Sequence, residues 1–140
     1  MSTIFEKIIK REINAEIVYE DDRVVAFLDA HPLSPGHTLV VPRQAVLTII
    51  DLPDADVGLL FQAVKKIAQA LVGAVQAEGF TIGINHGDVS HGAQGPGVPH
   101  LHVHVIPRYA GDGGGSIHTV VKNSPSEPLA AIAARIRERL

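Results

Sequence analysis

In the segment "PHLHVHVIPR", residues 99–108, His100, His102 and His104 alternate with Leu101, Val103 and Val105. A period of two has one regular solution, an extended strand whose successive side chains leave on opposite faces. The three imidazoles therefore share one face, while the aliphatic side chains point the other way, into a core. Whatever the rest of the chain does, it has to supply neighbouring strands for this segment and a hydrophobic layer for one side of it.

The remaining sequence offers those parts. Thr3 and Glu6 form a T-x-x-E capping box, and Ile4, Phe5, Ile8 and Ile9 give an apolar stripe, so a short N-terminal helix is expected to end near Glu12. "EIVYEDDRVVAFLD" reads as two strands joined at Glu20-Asp21-Asp22, and "HTLVVP" as a third strand after the loop "HPLSPG". Leu60, Val64, Ile67, Leu71 and Val75 recur at steps of three and four, placing a long amphipathic helix at about Leu52–Glu78. Asp51 is its expected cap, Pro53 lies in its first turn, and Gly79 is its expected stop. "FTIGIN" is a fourth strand. "HGDVSHGAQGPGVP" is a long loop of the kind that often carries function, and "HLHVHVIPR" is a fifth strand ended by Pro107. "PLAAIAARIRERL" reads as a C-terminal helix with basic residues near its end. The pattern is α+β, a single domain with a five-stranded, mainly antiparallel sheet and one long helix.

Composition narrows the function classes. A chain of 140 residues with 46% hydrophobic and 19% charged residues can bury a core. Its net charge of −3 provides no basic footprint, so no nucleic acid is expected as partner. It has no cysteine, which removes disulfides, thiolate zinc sites and cysteine nucleophiles, and fits a cytoplasmic location. "MSTIFEKIIKRE" carries charges throughout and is not a secretory signal, while Lys65 and Lys66 interrupt the most apolar stretch. No membrane partner is expected.

Three uses of the histidine row compete: a solvated strand face, a metal site, or nucleophilic catalysis in which one imidazole attacks and its neighbours orient it. Alternate positions on one strand converge on a metal less well than ligands from separate elements. His37, before the third strand, and Asn85, after the fourth, combine with the glycine-rich loop to outline a phosphate-sized site. They favour catalysis.

"HLHVHVI" is similar to the H-φ-H-φ-H-φ-φ signature of the histidine triad family of nucleotide hydrolases and transferases, where φ is apolar. "IFEKIIKREINAEIVYEDDRVVAFLDAHPLSPGHTLVVPR", the long helix and "GFTIGINHGD" follow the family's order, so the likeness implies a triad domain over residues 1–113. Residues 114–140 form a C-terminal extension with a helix. The resemblance implies that His102 is the nucleophile toward the α-phosphorus of a purine nucleotide, forming a nucleotidyl-histidine that water hydrolyses. It makes His104 a phosphate contact, His100 a group fixing the tautomer of His102, and His37 a fourth member of the network. Asp29 resembles the ribose-binding acid, Asn85 the phosphate-side amide, and Phe5, Ile8 and Phe27 the apolar walls around the base. Gly95, Gly97 and Val98, in the loop before the triad, are expected to bind the substrate as well.

Two departures matter. Related chains often carry G-Q-x-V-x-H before the first triad histidine, whereas this one reads Gly95-Pro96-Gly97-Val98-Pro99-His100. The phosphoramidase branch typically has a serine at the position of Gly97, and glycine has no side chain to protonate a leaving group. The cysteines that some relatives use for structural zinc are absent, so no metal or cofactor is expected. The phosphoramidase-like reading leads, with a dinucleoside polyphosphate hydrolase or a non-catalytic nucleotide-binding module as alternatives. The resemblance also implies a homodimer, which Phe61 and Val72 on a second side of the long helix would serve.

Overall fold

A computed structural model of the chain describes residues 2–85 and 97–140. The elements run α1 (Ile4–Ile9), β1 (Ile17–Glu20), β2 (Val24–Leu28), β3 (Thr38–Pro42), α2 (Asp54–Ala74), β4 (Gly79–Gly83), β5 (Val103–Arg108) and α3 (Leu129–Arg137). The five strands form one antiparallel sheet in the order β1-β2-β3-β5-β4. This is the expected α+β architecture.

Strand alternation divides the core into two layers. Val24 and Ala26 of β2, Val40 of β3, and Val103 and Val105 of β5 pack with Leu101 under the buried face of α2, formed by Leu60, Ala63, Val64, Ile67 and Leu71. Although α2 is long and apolar enough to cross a membrane, that face covers the sheet as a core helix does. Val25, Phe27, Leu39 and Val41 point to the opposite face and meet Phe5 and Ile8 of α1. The capping box that starts α1 is complete: Glu6 N–H donates to Thr3 Oγ1 at 3.2 Å, and Thr3 N–H to Glu6 Oε1 at 3.1 Å. A six-residue helix is marginal alone, so its place depends on this cap and on the burial of Phe5 and Ile8.

Several expected boundaries shift. The helix α1 ends at Ile9 with Arg11 in the left-handed region (φ 63°), before Glu12. Asp51 caps a separate 3₁₀ turn, Ile49–Asp51, by accepting from the N–H (3.1 Å) and hydroxyl (2.8 Å) of Thr48, and α2 starts three residues later. It closes at Val75, where Gln76 turns left-handed (φ 56°), while Gly79 opens β4. Pro107 does not end β5. It pairs with Phe80 inside the ladder, and its carbonyl accepts the Ser34 hydroxyl at 2.7 Å.

Candidate active site

The ladder of β5 begins at Val103, so His100 and His102 lie on the approach to it and only His104 is in the strand. The approach is anchored by Leu101 N–H donating to the Val46 carbonyl at 2.8 Å. The expected alternation nevertheless holds. Leu101, Val103 and Val105 enter the α2 core, while Phe5 of α1 meets the rings of His100 (centroids 6.1 Å apart) and His102 (5.0 Å) edge-on. The rings of His102 and His104 are 4.9 Å apart, and those of His104 and His37 are 5.3 Å apart. His37 stands one residue before β3, whose Leu39 pairs with His104. The rings of His102, His104 and His37 thus form one row, and Phe5 of α1 stands against the rings of His100 and His102.

Hydrogen bonding fixes which nitrogens carry protons. A carbonyl only accepts, so His102 Nδ1, 2.7 Å from the His100 carbonyl, bears the proton and leaves the Nε2 lone pair free. By the same argument His100 Nε2 donates to the Pro42 carbonyl at 2.8 Å. Leu33 N–H donates to His37 Nδ1 at 3.1 Å, so His37 holds its proton on Nε2 and donates to His104 Nδ1 at 3.0 Å. The proton of His104 is then on Nε2. The row therefore offers one nucleophilic lone pair, on His102, and one adjacent N–H donor, on His104.

The role expected of His100 is corrected in its atoms. Its backbone carbonyl, not its ring, holds the tautomer of His102, and the ring instead ties the approach strand to the end of β3 through Pro42. His100 is 1% exposed, and its Nδ1 has no partner among the described residues.

Burial keeps His37, His102 and His104 neutral at about pH 7. Desolvation lowers the pKa of His102 and of His37, with the nearby Asp29 carboxylate opposing it, and pushes His104 down to about 4 with further help from His102 and His37. A neutral imidazole is the form that attacks, so at about pH 7 the nucleophile needs no activating base.

Asp29 lies at this row. Its Oδ1 accepts from His31 N–H at 2.9 Å, forming the turn, while Oδ2 stands 3.5 Å from His37 Nε2. It borders a hollow of about 430 Å³ with Leu28, Leu33, Pro35 and His37 among its lining. One ligand atom each of Asp29, His37 and His104 lie within 4.8 Å of one another, a spacing a metal ion could bridge. The protons argue otherwise. Coordination through His37 Nε2 needs its lone pair there and a proton on Nδ1, yet Nδ1 accepts from Leu33 N–H. The donor set does not fit a metal.

Of the expected base walls, Phe5 and Ile8 belong to the layer that contacts the row, with Val98 half-buried against it. Phe27 lies deeper, 2% exposed and edge-on to Phe5 at 5.3 Å. Asn85 is exposed at the end of the β4 segment, and Gly97 is half-buried. Gly95, His86 and His91 lie outside the described residues. His118 sits in the C-terminal segment with its N–H on Ser116 Oγ at 3.2 Å. The groups that sequence reading missed are backbone ones, Leu33 N–H and the carbonyls of His100 and Pro42. No residue type signals them.

The HIT domain model matches residues 10–111. The chain is 37% identical to the protein "hit" of Bacillus subtilis over 139 residues, covering 98% of this chain and 93% of that one. A crystal structure of a HIT family member from Bacillus subtilis superposes with TM-score 0.84 at 35% identity, covering 100% of this chain and 98% of that one. Two relatives carry names of activities: an adenylylsulfatase of Arabidopsis thaliana, 35% identical over 75% of this chain, and a bis(5'-nucleosyl)-tetraphosphatase of Schizosaccharomyces pombe, 35% identical over 74%. The match spans only 51% and 54% of those two proteins.

Proposed function

The chain belongs to the HIT family, and from that premise we propose that it hydrolyses purine nucleotide conjugates, attacking the α-phosphorus through His102 and releasing a nucleoside monophosphate. The observation that carries this reading is the fixed tautomer of His102. With Nδ1–H held by the His100 carbonyl, the Nε2 lone pair is free to attack, and the same carbonyl supports the positive ring that results. As the N–P bond forms, the bond from phosphorus to the leaving atom breaks with its electron pair, and solvent supplies that atom's proton, since Gly97 has no side chain to do so. His104 Nε2–H donates to a phosphate oxygen as charge gathers there. Water then displaces the histidine from phosphorus. Asp29 faces the row with one carboxylate oxygen, which suits ribose hydroxyls as its acceptor role, and Phe5, Ile8 and Phe27 give the base an apolar layer.

The relatives named as adenylylsulfatase and as tetraphosphatase act through different leaving groups, so phosphoramidate cleavage is this chain's own proposal. Replacing His102 with Ala is expected to cut turnover of an adenosine phosphoramidate by a factor on the order of 10³ or more while AMP still binds by calorimetry. Full activity in that variant refutes the assignment. Tight AMP binding by the wild type without turnover of any conjugate would favour a binding module instead.

We place the protein in the cytoplasm as a homodimer. Phe61 and Val72 stand 39% and 54% exposed on one flank of α2 away from its buried face, an apolar surface for a second copy. Light scattering is expected to give twice the chain mass, and Phe61→Glu to give the chain mass; a monomeric wild type refutes the dimer.

A further inference from the structure

The strand β5 loses its partner on one side before it ends. Its pairing with β4 runs to Arg108, whereas its pairing with β3 stops at Val105, opposite Thr38. Neighbouring residues of a strand turn their backbone polar groups to opposite sides. Arg108 faces β4, where its carbonyl accepts Glu78 N–H at 3.0 Å, so Pro107 faces the side that β3 has left. A proline is tolerated there because its missing N–H has no strand to serve, yet the carbonyl of this buried residue still needs a donor. The Ser34 hydroxyl supplies it at 2.7 Å.

Ser34 follows Leu33, whose N–H donates to His37 Nδ1 at 3.1 Å. That one bond sets two protons in turn, since it puts the proton of His37 on Nε2 and thereby the proton of His104 on its own Nε2. Little else holds Leu33. Its side chain is 76% exposed, and among the described residues its backbone makes no other hydrogen bond. The turn at Asp29 ends with His31 N–H, before it. The bonds of Thr38 Oγ1 to the Gly36 carbonyl (2.7 Å) and of Asp29 N–H to the His37 carbonyl (2.9 Å) come after it. The Ser34 hydroxyl is thus the mooring of the Leu33 amide on the sheet.

We propose that Ser34 is a positioning residue for the reaction: by clasping Pro107 it keeps Leu33 N–H on His37 Nδ1, and so keeps the proton of His104 on the nitrogen that meets the phosphate. The inference rests on the nucleotide reading above and adds to it a residue that touches neither substrate nor the reacting atoms. Without the clasp the Leu33 amide is free to leave, and His37 can hold its one proton on Nδ1. Its Nε2 lone pair then faces His104 Nδ1, 3.0 Å away, and draws the proton of that ring to Nδ1. His104 Nε2 is left with a lone pair and cannot donate to a phosphate oxygen. Each ring keeps one proton throughout, so the row stays neutral and only the place of its protons changes. Asp29 does not replace the Leu33 amide in this duty. Its Oδ2 is 3.5 Å from His37 Nε2, and on the reading above that carboxylate accepts from ribose when substrate is bound.

The test sets Ser34→Ala against Ser34→Thr, which keeps the hydroxyl, and against Tyr109→Phe. The Tyr109 hydroxyl lies 2.9 Å from the Pro35 carbonyl and 3.2 Å from the Val75 carbonyl, so its removal loosens the same loop without touching Leu33 or Pro107. With adenosine 5'-phosphoramidate, Ser34→Ala is expected to lower kcat about tenfold and to leave KM within about twofold, because a donor that acts in the transition state is lost from part of the population. Ser34→Thr should stay within about threefold of the wild-type kcat, and Tyr109→Phe should keep it even where its thermal midpoint falls. Nitrogen NMR of protein labelled in histidine reads the tautomers directly. In the wild type His104 should be protonated on Nε2, and in Ser34→Ala both tautomers should appear. A Ser34→Ala variant with the wild-type kcat or the wild-type ring spectra overturns the proposal. So does a Ser34→Thr variant as slow as the alanine one, or an equal fall in kcat in Tyr109→Phe, which would make the effect a general loosening. His104 protonated on Nδ1 in the wild type overturns it whether or not the alanine variant folds. A wild type that hydrolyses no phosphoramidate overturns the nucleotide reading instead, and the ring spectra still decide whether Ser34 sets the proton of His104.

Discussion

His102 and His104 are the same residue type two positions apart, yet the fold gives them opposite duties. Nδ1 of His102 is bonded to a carbonyl and Nδ1 of His104 to an N–H, so one ring presents a lone pair and the other a proton. Residue type and spacing disclosed that the imidazoles share a face. They did not disclose the tautomers, because these depend on Leu33 N–H and the carbonyls of His100 and Pro42, which only tertiary placement brings into reach. The same burial that fixes the tautomers sets the pH response. Desolvation lowers the His102 pKa, so its reactive neutral form should persist below the usual histidine midpoint. With a substrate that does not itself titrate there, kcat/KM is expected to stay flat from about pH 7.5 to 6.5 and to fall only at lower pH, with an acid-limb midpoint below the ordinary histidine value of about 6.5. A midpoint at or above that value would contradict the assigned protonation.

At the level of elements, the loop from β2 to β3 carries the largest share of positioning. Its turn is Ser34-Pro35-Gly36-His37, closed by His37 N–H on the Ser34 carbonyl at 3.1 Å, with proline second and a left-handed glycine third (φ 91°). "SPG" announces that turn in the sequence. What it cannot announce is that Gly36 lies against α2 and β5: a Cβ would sit 2.9 Å from Leu71 Cδ2, 3.0 Å from Val75 Cγ2 and 3.2 Å from Pro107 Cγ. Gly36→Ala therefore combines a disfavoured backbone with a clash against core side chains. It is expected to cost roughly 1–3 kcal/mol from conformation alone, and more from the contact. Chemical denaturation measures the loss, and a variant as stable as wild type would show that the turn can move. Helix α2 teaches the same lesson from the other side. Its apolar period located the buried face correctly, but its ends were set by a 3₁₀ turn at Ile49–Asp51 and by left-handed Gln76, neither of which has the sequence signature of a helix boundary.

For the molecule as a whole, a row of buried and half-buried neutral histidines ties the stability of the fold to the protonation of its active site. His37, His102 and His104 all have pKa values below the unfolded value of 6.5, His104 down to about 4. Between those limits the unfolded chain binds more protons than the folded one, and stability rises with pH wherever that holds. The contribution is complete above the unfolded value, is lost progressively as pH falls toward the folded values, and levels off below about 4. Acidification thus removes stability and the nucleophile's free lone pair together, because the proton that charges His102 adds to the nitrogen that attacks. Replacing His104 by Gln keeps a side chain that donates and accepts but takes away the most strongly lowered of the three groups. Urea denaturation of the wild type should therefore show a steeper loss of stability between about pH 6.5 and 4 than the His104→Gln variant shows. Equal slopes for the two proteins would mean that His104 charges in the folded state as readily as in the unfolded chain, and that the site is wetter than its burial implies.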